Sequence, residues 1–83
     1  MYQIDGRNVI YDWLSHEPVL ERRVAFLEWL VELATTPSAQ GRRVPGIPAP
    51  VYLAVVLRPP VVVRYLIAEQ FHTVRVIGIS PLP

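Results

Sequence analysis

Cysteine and lysine are both absent from this chain, and charge of either sign is scarce. Without cysteine there is no disulfide, no thiolate metal ligand and no thiol nucleophile, a pattern that fits a reducing compartment. The only imidazoles are His16 and His72, and neither has a partner at metal-ligand spacing beyond the neighbouring pair His16–Glu17, so no metal site is expected. The three serines, Ser15, Ser38 and Ser80, stand in no nucleophile-elbow context, and the glycines around RRVP lack the Lys-Ser/Thr of a phosphate loop. The opening MYQIDGRNV contains no apolar signal core, and the longest apolar run, Val51 to Leu57, is far shorter than the ~20 residues that span a bilayer. These features lead us to expect a soluble, cytoplasmic protein without a cofactor.

What is present is apolar. Hydrophobic residues make up 52% of the 83 residues and charged residues only 18%, more apolar surface than one small core hides. The net charge of +1 divides unevenly. Residues 1–41 carry six carboxylates against three arginines, net −3, whereas residues 42–83 carry Arg42, Arg43, Arg58, Arg64 and Arg75 against Glu69, net +4. Arginine offers planar bidentate contacts to phosphate or carboxylate, so these five are the candidate anion-binding residues. A solvated charged pair in a linker is the plainer role for Arg42 and Arg43, and snorkelling or pairing with Glu69 is the plainer role for Arg64 and Arg75.

The pattern along the chain predicts one α+β domain over 1–83. Residues 1–7 read as a strand closed by Gly6. Residues 8–15 read as a short helix capped by Asn8, and 18–35 as a longer helix with Pro18 in its first turn. On the longer helix Leu20, Val24, Leu27, Val31 and Ala34 recur at helical spacing, and Phe26, Trp29, Leu30 and Leu33 widen the apolar arc past half the circumference. Such an arc serves either two flanks of the same core or a core plus a contact with a second chain, for which Phe26 and Trp29 are the candidates. Residues 36–50 read as a loop, and in its stretch SAQGRRVPGIPAP three prolines and two glycines leave no regular pairing. Three β-rich runs follow, 51–57, 61–69 and 72–80, and connections this short allow only an antiparallel meander. The helices should cover one face of that sheet.

Alternation makes both sheet faces mostly apolar, contrary to the pattern of a sheet with one solvated side. Leu53, Val55, Val62 and Leu66 therefore mark a candidate partner-contact face. Arg64 and Arg75, in strands that cross the sheet together, are the candidate catalytic pair for stabilising developing negative charge on a phosphodiester, with Arg42, Arg43 and Arg58 as candidate nucleic-acid contacts.

The opening MYQID, the helical passage WL…FLEWLVELATTP, the GRRVPG loop and the succession VYLAVVL, VVVRYLI, VRVIGI together resemble the RelE/ParE superfamily of bacterial toxin modules. The resemblance implies a strand, two helices and an antiparallel sheet. It further implies a toxin that acts on ribosome-bound mRNA or on DNA gyrase and is neutralised by an antitoxin segment wrapped around the fold. RNA-cleaving members similar to this chain carry basic residues just after the tyrosine that looks like Tyr52, where Leu53 and Val55 stand here. Another lies three before the tyrosine that looks like Tyr65, where Val62 stands, and their C-terminal basic-and-tyrosine segment has no counterpart in GISPLP. The leading expectation is thus a RelE/ParE-like domain working by protein contact, gyrase-directed or degenerate, and held by an antitoxin or by its own copy. The alternatives are an mRNA-cleaving ribonuclease using Arg64 with Arg42, Arg43 or Arg75, and a dimerisation or assembly module without toxicity.

Overall fold

The computed structural model describes residues 1–82. Strand β1 (Gln3–Asp5) leads into helices α1 (Arg7–His16) and α2 (Leu20–Thr35). A 3-10 turn at Pro37–Ala39 then precedes strands β2 (Arg42–Arg43), β3 (Val51–Val56), β4 (Val61–Ala68) and β5 (Thr73–Pro81). The sheet order is β1-β5-β4-β3-β2, so the expected meander β3-β4-β5 forms the centre and gains a strand at each edge. Its inner pairs are antiparallel, and only β1 runs parallel to its neighbour, β5.

Strand β1 is parallel because both helices intervene before the chain returns to the sheet. Asp5 begins that crossing: its carboxylate accepts the Gly6 N–H at 2.8 Å and the Arg75 Nη2 and Nε at 2.8 and 3.1 Å. Gly6 then takes a left-handed φ of 89°, and its carbonyl accepts the N–H groups of Val9 and Ile10, so the helix starts here and not at Asn8. A Cβ on Gly6 would collide with the carbonyl of Val76, which leaves glycine as the residue that fits. Helix α2 starts at Leu20, two residues later than the sequence suggests, because Pro18 stays in the connection while the Glu17 carboxylate accepts the Val19 N–H at 3.1 Å.

Two further corrections concern pairing and facing. The loop 36–50 does contain a strand: Arg42 and Arg43 pair with Leu53 and Tyr52. Gly41 makes this possible, since the absence of a Cβ lets the chain approach the Leu53 carbonyl and the Tyr65 hydroxyl, and Pro45, Pro48 and Pro50 all fall after the paired residues. On α2 the core side is Phe26, Leu33 and Ala34, with Trp29 and Leu30 packed beside them. Leu20, Val24, Leu27 and Val31, the residues that mark the regular apolar repeat, are exposed. Phe26 is therefore no contact residue: it is 0% exposed, its ring lies 4.6 Å from that of Trp13 and 6.0 Å from that of Trp29.

The core lies between the helices and one face of the sheet. Val61, Val63, Tyr65 and Ile67 of β4, Ala54 and Val56 of β3, and Val74 and Val76 of β5 meet Ile10, Phe26 and Leu33 there. Side chains of this kind contribute roughly 1.5–3 kcal/mol each when fully buried.

A binding face on the uncovered side of the sheet

Alternation along three strands turns one set of residues away from the helices: Val51, Leu53 and Val55 of β3, Val62, Arg64 and Leu66 of β4, and Arg75 of β5. Strand register arranges them in rows. One row runs Arg42, Leu53, Arg64, Gly78, the next pairs Val55 with Val62 and Ser80, and a third runs Val51, Leu66, Arg75, Asp5. Val55 is 61% exposed, Leu53 is also exposed, and Val62 and Leu66 are half-buried by their neighbours. Beside Leu53 and Val55 the segment Arg42–Pro45 borders a shallow hollow of about 490 Å³ with largely apolar walls.

The arginines do not act as one group. Arg42 and Arg64 share a row with Leu53 between them, two strand spacings or roughly 10 Å apart, and neither makes an ion pair among the described residues. Arg64 lays its guanidinium across Gly78, where a side chain would meet its Nη2 and Nε atoms. Arg75 lies diagonal to Arg64 on the same face but is turned toward Asp5 and bonded to it, and so does not converge with Arg64. Its hydrogen bonds, reinforced by the Gly6 N–H, hold the Asp5 carboxyl below the usual carboxylate range. Arg43 lies on the other side of β2 and donates to the Pro48 carbonyl at 3.4 Å. Arg58, in the turn between β3 and β4, belongs to a groove beside α2 that it shares with Glu21, Glu28 and Trp29.

Apart from Asp5, the groups able to transfer protons lie elsewhere. Tyr65 faces the core, 0% exposed, donating its hydroxyl to the Pro37 carbonyl at 2.7 Å and stacking on Tyr52 at 5.5 Å. Burial pushes its pKa up to about 12. His72 stacks on Tyr2 at 3.9 Å in the β4–β5 turn, and His16 lies at the end of α1. Glu69 accepts the Tyr2 hydroxyl, and that bond raises the Tyr2 pKa. Asp5 is held by Arg75. Among the described residues no cluster of three His, Cys, Asp or Glu side chains is placed to hold a metal, and no helix is long and apolar enough to cross a membrane. The face thus has cationic and apolar groups for binding but no free acid or base.

Two features of the face are invisible to strict alternation. A bulge between Arg64 and Tyr65 leaves Ile77 without an opposing residue and adds it to the exposed apolar surface. Gly78 provides the flat floor under Arg64. A lone glycine inside the VIGIS run is the signal that would have pointed to both.

No protein-family model and no curated protein sequence matches the chain. Solved structures do. A chain of the intact E. coli RelBE toxin–antitoxin complex aligns with a TM-score of 0.77 at 17% identity, over 100% of this chain and 99% of that one. The isolated E. coli RelE toxin aligns with a TM-score of 0.75 at 18% identity, over 100% of this chain and 86% of that one. The chain has the RelE toxin fold.

Proposed function

We propose that this RelE-fold domain is a toxin-type module that acts by gripping a protein segment on the uncovered sheet face, with neutralisation by an antitoxin polypeptide. The observation that carries the reading is the composition of that face. Leu53, Val55, Val62, Leu66 and Ile77 are apolar residues grouped around Arg64, with Arg42 at the β2 edge, and neither arginine makes an ion pair among the described residues. An apolar segment bearing carboxylates would satisfy both elements, and an exposed strip of this kind marks a contact surface. A structural neighbour solved as a toxin–antitoxin complex supports an antitoxin as one such partner.

The ribonuclease reading rests on the row Arg42–Leu53–Arg64, whose two free guanidinium groups could bracket a phosphodiester. It is the weaker reading because Asp5, the carboxylate on the face, is tied to Arg75 and is not free to transfer a proton. Bacterial growth after induced expression of the intact chain separates the two. Contact predicts arrest that Val55→Asp relieves, that Arg64→Ala only weakens, and that proceeds with RNA on translating ribosomes intact. Cleaved RNA and full relief by Arg64→Ala would establish the ribonuclease instead, and normal growth with folded protein present would overturn the toxin reading.

A further inference from the structure

The outward side of α2 carries Leu20, Val24, Leu27 and Val31, exposed by 65, 44, 47 and 58%. Their spacing of four, three and four residues is the seam of a two-heptad coiled coil, with Val24 and Val31 at a and Leu20 and Leu27 at d. We propose that this stripe is a self-association surface, at which a second copy of the chain docks its own α2 in parallel. The inference is independent of the sheet face and of its proposed role.

The occupant follows from three observations. β-branched residues at a with leucine at d favour two parallel strands over higher assemblies, and both a positions here are valine and both d positions leucine. In the same frame Arg23 occupies g and Glu28 the e position of the next heptad. A parallel pair therefore places Arg23 of each copy opposite Glu28 of the other, twice by symmetry. An antiparallel pair would instead bring Glu21 against Glu28, a like-charge contact. Finally, Arg23 is half-buried along this flank, and its Nε is buried without a hydrogen-bond partner among the described residues. The domain already holds α2 helical, so the cost of helix nucleation does not fall on association. Two heptads bury less than the roughly 1,200 Å² of a stable interface, so the dimer forms and dissociates with concentration.

Sedimentation equilibrium of the intact chain over a concentration series should show the mass rising from 9.4 kDa toward twice that value. Leu27→Glu should weaken the association by about tenfold or more without changing the fold, because the side chain it replaces contacts solvent. A mass fixed at 9.4 kDa at every concentration would overturn the proposal, as would Leu27→Glu dimerising like the parent. Orientation is tested without relying on stability. In a chain free of cysteine, Leu20→Cys should oxidise to a disulfide dimer by itself. Cross-linking only when Leu20→Cys is mixed with Val31→Cys would show antiparallel helices and overturn the parallel arrangement.

Discussion

The two faces of the central sheet are almost equally apolar in sequence, yet one is the core and the other is solvent-facing. The covered face carries Val63, Tyr65 and Val74 against Phe26 and Leu33; the open face carries Leu53, Val55, Val62 and Leu66. The same division splits α2 into a buried side with Phe26 and Trp29 and an exposed side of leucine and valine. Hydrophobicity does not distinguish these sides. Ring area does: Trp13, Phe26, Trp29, Tyr52 and Tyr65 form one chain of ring contacts from α1 to β3, and large rings bury the most surface per side chain ordered.

The sharpest test of that comparison removes one residue from each side. Phe26→Ala should cost about 3–5 kcal/mol in urea unfolding, a whole ring taken from the core. Val55→Ala should stay within about 0.5 kcal/mol, and an equal loss at both would show that the open face is internally supported. Next in size is Tyr65→Phe, which removes the hydroxyl bonded to the Pro37 carbonyl and should cost roughly 1–2 kcal/mol at neutral pH. The parent should also lose stability at alkaline pH. Tyr65 titrates at about 12 in the folded chain against an ordinary 10.0, so its contribution is full below 10.0 and drains away as pH rises toward 12. Tyr65→Phe should flatten that alkaline slope.

The smallest effect belongs to the open face. Asp5 has a depressed pKa when folded, so the unfolded chain binds its proton first as pH falls. The stabilisation is present above the ordinary carboxylate range and disappears as the pH drops through the folded value. Asp5→Asn should remove that portion of the acid-side slope and leave the alkaline side unchanged, as pH-dependent thermal melts would show.

Much of the fold was legible because its signals are local. Three apolar runs with short connections dictated β3, β4 and β5, and the helical repeat dictated α2. The strand β2 was hidden because the prolines and glycines of 36–50 dominate its composition, whereas only Gly41, through a close approach visible in three dimensions, permits the pairing. The orientation of α2 was hidden for a different reason. Leu20, Val24, Leu27 and Val31 have the cleaner periodicity, and periodicity reports that a stripe exists without saying what it faces. At the site, alternation put Arg64 and Arg75 on one face, but the Asp5 pair that diverts Arg75 joins positions 70 residues apart, beyond any local pattern. The grouping of Arg42 with Arg64 depended on a strand that the composition concealed.

The parallel placement of β1 beside β5 also governs how this chain is made. Gln3, Ile4 and Asp5 are synthesised well ahead of their ladder partners Thr73, Val74 and Arg75. During translation β1 must wait, with its edge unpaired, until β5 has emerged. Closing so long a loop comes at an entropic cost that only late contacts offset, which places this step among the slow ones in assembly. A nascent chain stalled before β5 would present the helices and the β3–β4 hairpin without the strand that joins its two ends, a species exposed to misassociation for as long as synthesis is paused.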